Sequence, residues 1–238
     1  MRAPQQAQRH QRGWLWMSIL VVVVVAAAVP LAVIGDRNKT VVCFGDSLTA
    51  ESDGAIAGFL DFQGYTVQNA AIAGSGLLDT NIDWLGIGHQ MIAKYDPSVV
   101  TVEFIGDYGF AGTPPGVPAY SPIFYTDWAA RAQQLEDILT SRGAKVYWVI
   151  GPPVANPTIE TVITNLDRIY EHLHAPNTAS GRPPLIDVTP ALTGPKGVYT
   201  EYLPGKDGVP VEVRTPDGTH FTLYGVALFG RAIAEAIA

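Results

Sequence analysis

The chain of 238 residues is 47% hydrophobic and carries 22 acidic against 15 basic side chains, a formal net charge of −7. That apolar share is ample for one sizeable core. Three basic residues and no acidic ones precede Asp36, which leaves residues 36–238 at −10. With no basic stripe to counter it, such a surface repels nucleic acid and anionic lipid. The single Cys43 excludes an internal disulfide; set in an apolar run, it reads as a small buried hydrophobe.

The first 35 residues differ in kind from the rest. Arg2, Arg9 and Arg12 lie in a tail over residues 1–13, and residues 14–34 bear no charge. Val21 to Ala28 are all Val or Ala. Roughly 20 helical residues cross a bilayer core of about 30 Å, so residues 14–35 read as a transmembrane anchor. The excess of positive charge before the segment places residues 1–13 in the cytoplasm and residues 36–238 outside it. The expected location is thus the cell membrane, single-pass. The alternative is a secretory signal cleaved near Ala26-Ala27-Ala28, giving a secreted protein. The apolar run continues to Ile34, which favours the anchor.

Beyond the anchor, strand-like and helix-like patterns alternate. Short apolar runs predict strands over 41–44, 65–68, 99–105, 146–150 and 185–188. Helical spacing predicts helices over 55–62, 88–95 and 126–142, the last stopped by Gly143. Asn156-Pro157, a cap followed by a first-turn proline, opens the clearest helix, and a final one spans about 222–238. Strands apolar on both faces between helices predict an α/β domain with a five-stranded parallel sheet covered on both sides. Two long stretches remain as loops, 107–125 and 189–215. The first holds Tyr108, Phe110, Tyr120, Phe124 and Tyr125, which suit either a substrate wall or a packed surface loop.

The chemistry concentrates at two places. Thr40 to Phe44 end abruptly in Gly45-Asp46-Ser47 before a more polar, helix-compatible stretch. Ser47 then sits at the carboxyl end of the first strand, where open α/β sheets bind ligands and helix N–H groups face negative charge. A serine hydroxyl needs a base, and the base an orienting acid. Of the five histidines, His10 is in the tail, His172 and His174 flank a helix end, and His89 lacks an acidic neighbour. His220 closes Asp217-Gly218-Thr219-His220, in which a glycine lets the carboxylate fold back onto the imidazole.

Taken together these segments resemble the GDSL, or SGNH, hydrolase family. Gly45-Asp46-Ser47-Leu48 matches its first block, Asn69 to Gly74 its second, and Asp217-Gly218-Thr219-His220 its last. The resemblance implies a flavodoxin-like three-layer α/β/α fold and a serine esterase or O-acyltransferase. It implies Ser47 as nucleophile, His220 as base and Asp217 as orienter, with an oxyanion hole from the N–H groups of Ser47 and Gly74 and a side-chain amide. No cofactor and no metal are implied. The expected substrate is an acyl ester on a lipid or cell-envelope glycan, with Tyr108 and Phe110 against it.

One departure stands out. The family's third block carries Asn, and here the third strand runs into Gly106-Asp107-Tyr108-Gly109. Asp107 is the nearest replacement, and an ionised carboxylate accepts rather than donates. A protonated Asp107, a Tyr108 hydroxyl, a two-donor hole, or a domain that binds envelope glycan without turnover are the alternatives.

Overall fold

The fold comes from a computed structural model that describes residues 39–106, 113–175 and 178–238. The expected anchor over 14–35 lies outside the described residues, as do Asp107, Tyr108 and Phe110. Among the described residues no helix is long and apolar enough to cross a membrane.

In chain order the elements are β1 (Thr40–Gly45), α1 (Ser47–Asp61), β2 (Thr66–Asn69), α2 (Trp84–Tyr95) and β3 (Val99–Glu103). There follow α3 (Pro122–Thr140), β4 (Lys145–Ile150), α4 (Pro157–Tyr170), β5 (Leu185–Asp187) and the short α5 (Thr189–Leu192). A ribbon of β6 (Tyr202–Pro204) and β7 (Pro210–Glu212) precedes the last helix, α6 (Leu223–Ile237). The five strands of the main sheet are all parallel, in the order β2-β1-β3-β4-β5. The chain moves from β1 to β2 on one side and then to β3 on the other. That reversal opens a crevice at the carboxyl ends of β1 and β3, the place where such sheets bind ligands.

The alternation of side chains along each strand divides the core in two. Val42 and Phe44 of β1, Val100 and Val102 of β3 and Trp148 of β4 pack with Trp84, Trp128, Leu135 and Tyr170 from α2, α3 and α4. Val41, Cys43, Tyr147 and Val149 face the other way, onto Leu48 and Ile56 of α1 and Phe229 and Ile233 of α6. Every residue of β1 and β3 is buried, which is why both read as largely apolar runs. Cys43 is buried as expected, and burial pushes its thiol up to about 12.

Three differences from the sequence expectation have physical causes. Helix α1 begins at Ser47 rather than 55, because the Asp46 carboxylate caps it by accepting from the Leu48 N–H at 3.1 Å. Helix α3 begins at Pro122, capped by Ser121, so the preceding loop is shorter than its composition suggests. Phe124 is therefore not a loop wall residue; it is fully buried against Trp128. The stretch 189–215 holds α5 and the antiparallel β6–β7 ribbon.

One buried acid carries a consequence for stability. The Glu136 carboxylate accepts from the Trp148 indole N–H at 2.9 Å, while its other oxygen has no partner among the described residues. Burial pushes its carboxyl up from 4.5 to about 7. Between those values the folded protein holds a proton that the unfolded chain has released. This contribution is complete below the lower value and is lost as pH rises through the upper one. Glu136→Gln keeps an acceptor for Trp148 without the charge. Its melting temperature relative to the parent is expected to rise by about 2–4 °C or more between pH 5 and pH 8. A difference independent of pH would contradict this role.

Candidate active site

Ser47 is the first residue of α1 and stands at the end of β1. The junction is tight: a Cβ on Gly45 would lie 2.5 Å from the Thr49 hydroxyl and 2.7 Å from the Glu103 carbonyl oxygen. Asp46 pins it from below, one carboxylate oxygen taking the Leu48 N–H and the other the Ile105 N–H at 2.9 Å. The first strand's end is thus tied to the third strand's end directly beneath Ser47.

Glu103, an unexplained charge in an apolar run, belongs to the same junction. It is paired in register with Gly45 and accepts from the Thr49 hydroxyl at 2.8 Å. Burial and the neighbouring Asp46 charge both push its carboxyl well up. Burial also raises Asp46, to about 6, against the pull of its two backbone donors. The pair therefore retains a proton where isolated carboxylates would have none.

Asp217 and His220 come from a short hairpin over residues 213–222. It is closed by an antiparallel bridge between Arg214 and Phe221 and by the Thr215 N–H bonded to the His220 carbonyl at 2.9 Å. Gly218 takes φ +74° at the tip, the left-handed conformation that the turn demands. Its carbonyl accepts from the Ala155 N–H at 2.9 Å, which docks the tip on the β4–α4 loop. That loop is itself held by α4, whose Glu160 and Asp167 carboxylates accept from the Val154 and Gly151 N–H groups.

The three side chains meet. His220 Nε2 lies 2.9 Å from the Ser47 hydroxyl oxygen, and His220 Nδ1 lies 2.8 Å from an Asp217 carboxylate oxygen. The second Asp217 oxygen accepts from the Thr219 N–H at 2.8 Å, the His220 N–H at 3.0 Å and the Thr215 hydroxyl at 2.9 Å. Partial burial pushes the Asp217 carboxyl up, but these donors outweigh it and hold it well below the usual range. An ionised Asp217 keeps the ring proton on Nδ1, leaving Nε2 free to accept from the serine. The arrangement can move a proton from an alcohol to an imidazole.

Gly74 lies on an exposed loop after β2, brought to the end of β1 by the Ile72 N–H bonded to the Gly45 carbonyl at 2.9 Å. Between α3 and α4 opens a cleft of about 380 Å³ lined by Tyr120, Tyr125, Thr158, Thr161 and Asn165 with Pro157 and Val162. None of these side chains is charged. His89, His172 and His174 are exposed and stand apart from the three-residue cluster, His172 Nδ1 meeting the Arg168 carbonyl at 2.7 Å.

Two supporting residues escaped the sequence reading. The guanidinium of Arg214, 1% exposed, donates to the Thr219 carbonyl at 2.8 Å and the Pro153 carbonyl at 2.9 Å, with its face 4.6 Å from the Phe221 ring centroid. Burial lowers it to about 10. Glu51 accepts from the Phe221 N–H at 3.0 Å. The only sequence signal was position: Glu51 stands one helical turn beyond Ser47, and Arg214 three residues before Asp217.

The family model for "Protein of unknown function (DUF459)" matches residues 40–236. No curated protein matches the sequence. The fold is similar to that of the periplasmic domain of a lipopolysaccharide acetyltransferase from Salmonella ser. Paratyphi A, with a TM-score of 0.57 at 13% identity over 89% of this chain and 88% of that one. It is also similar to the esterase EstA from Pseudoalteromonas sp., at 0.53 and 16% identity over 85% and 97%. A third is the acetylxylan esterase Axe2 from Geobacillus stearothermophilus, at 0.51 and 15% over 84% and 94%.

The hairpin's docking is directly testable. A Cβ on Gly218 would sit 2.4 Å from the Ala155 Cβ and would force a side chain into the left-handed region. Gly218→Ala is expected to cost about 2–4 kcal/mol, read as a lowered urea midpoint at unchanged slope. An unchanged midpoint would mean that the tip does not rest on the 153–155 segment.

Proposed function

The chain belongs to the DUF459 family and has the fold of SGNH esterases and acyltransferases, and from that premise we propose that it is a serine acyl-ester hydrolase or O-acyltransferase. The observation that carries the reading is the in-line contact of Ser47, His220 and Asp217 at 2.9 and 2.8 Å.

His220 Nε2 takes the Ser47 proton as the serine oxygen attacks the ester carbonyl carbon. The oxyanion that forms faces the N–H groups of Ser47 and Gly74, at the positive end of α1. His220 returns the proton to the departing alcohol, and an acyl-serine remains. Water or an acceptor alcohol then attacks, again losing its proton to His220. His220 gives that proton to the Ser47 oxygen as the acyl–serine bond breaks, the acid or the new ester leaves, and Ser47 is restored. Asp217 stabilises the imidazolium in both halves.

The substrate class is an acyl group esterified to a lipid or an envelope glycan. The names of two structural neighbours, a lipopolysaccharide acetyltransferase and an acetylxylan esterase, point to acyl-glycan chemistry. The apolar segment over 14–35 would hold the domain at the outer side of the cell membrane. A binding protein without turnover is the rival, favoured by Asp107 standing where the resemblance calls for an amide donor.

Ser47→Ala should lower kcat on p-nitrophenyl acetate by about 10³-fold or more with KM little changed. Asp217→Asn can keep the three bonds at one oxygen, but it turns an amide donor toward His220 Nδ1 and so favours the wrong tautomer; it should lower kcat by about 10²–10⁴-fold. A Ser47→Ala protein as active as the parent would remove the serine from the mechanism; a parent without turnover would favour the binding protein.

A further inference from the structure

The triad is assembled from two pieces that share no secondary structure: the first turn of α1 and the hairpin over 213–222. Among the described residues, two hydrogen bonds join these pieces. One is the catalytic contact between Ser47 and His220. The other runs from the Phe221 N–H to Glu51 Oε1 at 3.0 Å. Other hydrogen bonds tie the hairpin to Pro153 and Ala155 after β4, to Glu201 before β6 and, through Thr222, to Glu212 of β7 and the first turn of α6.

The two bonds form a matched pair. Ser47 and Glu51 are four residues apart on one helix, so their side chains project from the same face, one turn apart. His220 and Phe221 are consecutive, so the imidazole reaches the serine while the next backbone N–H reaches the glutamate. A one-turn step on α1 is matched by a one-residue step on the hairpin. Partial burial pushes the Glu51 carboxyl up, and the Phe221 N–H and the charges of His220 and Arg214 oppose that.

We infer that Glu51 is a positioning residue, which sets the register of the catalytic hairpin against the nucleophile's helix. The inference rests on the esterase reading above, and adds to it a residue that touches neither the substrate nor the reacting atoms. The 2.9 Å contact of Ser47 and His220 is by itself too weak to orient the hairpin, because proton transfer must break and remake it in each half-reaction. Glu51 accepts a bond that persists throughout. Displacing a reacting group by about 1 Å costs on the order of 100-fold in rate, which sets the scale of the effect.

The test compares Glu51→Ala and Glu51→Gln in the otherwise unaltered chain. Three quantities are measured: kcat and KM on p-nitrophenyl acetate, the rate of labelling by a fluorophosphonate, and hydrogen–deuterium exchange over residues 213–222. Glu51→Ala is expected to lose about 10–100-fold in kcat and labelling rate, with KM within about twofold, and to exchange faster at 219–222. Glu51→Gln retains an acceptor oxygen and is expected to recover kcat to within about threefold. An Ala variant with parental kcat and labelling rate overturns the inference, and so does a Gln variant as impaired as the Ala variant. A parent that neither turns over nor labels contradicts the esterase reading instead. Exchange then decides the positioning alone: unchanged protection at 219–222 in Glu51→Ala overturns it.

Discussion

The structure depends on one constraint: a hydroxyl at the end of the first strand must meet an imidazole 173 residues later at 2.9 Å. Neither group can enforce this alone. On the serine side the position is set by close packing, with Gly45 leaving no room for a Cβ and Asp46 stapling α1 to the end of β3. On the histidine side it is set by a hairpin bonded at its tip and through Arg214 to the loop after β4, at Val213 to Glu201 and at Phe221 to Glu51. Arg214 fills the hairpin's interior with a cation that hydrogen-bonds carbonyl oxygens on two loops at once. A planar guanidinium with divergent N–H groups does this where an ammonium would not.

The molecule buries an unusual set of acids to build this end of the sheet. Asp46 and Glu103 sit side by side under the nucleophile, and Asp167 steadies the loop on which the hairpin rests. Burial pushes all three upward; Asp167 reaches about 7. Two effects compete at each. Desolvation disfavours the charge, while backbone N–H donors favour it. At Asp217 the donors win, because the side chain is half exposed and takes four hydrogen bonds. At Asp46 burial wins. The same side-chain type thus serves as a fixed anion at Asp217 and, at Asp46, as a buried strut whose carboxyl is pushed up to about 6.

Much of this was legible in the sequence, and the reasons differ by element. The inner strands were visible because burial on both faces leaves them mostly apolar; Glu103 was the one charge among β1 and β3 and proved to be tied to Thr49. Ser47 and His220 were visible because turn chemistry frames both. The start of α1 was hidden because Thr49 and Ser52 are polar yet buried, so its inward stripe is interrupted. The β6–β7 ribbon was hidden because its strands are short, largely exposed and contain proline. Arg214 and Glu51 act through backbone groups of distant segments, and periodicity carries no trace of such partners. The aromatic stretch misled in one respect: Phe124 sits on the inward face of α3, where helical capping and not loop composition decides its place.

The central claim is that Ser47 is an activated nucleophile. The most direct measurement is mass-spectrometric mapping of the adduct formed when the protein meets a fluorophosphonate. The account predicts one adduct per chain, on Ser47, and none when His220 is replaced by alanine. No adduct on the parent, or an adduct at another residue, would contradict it.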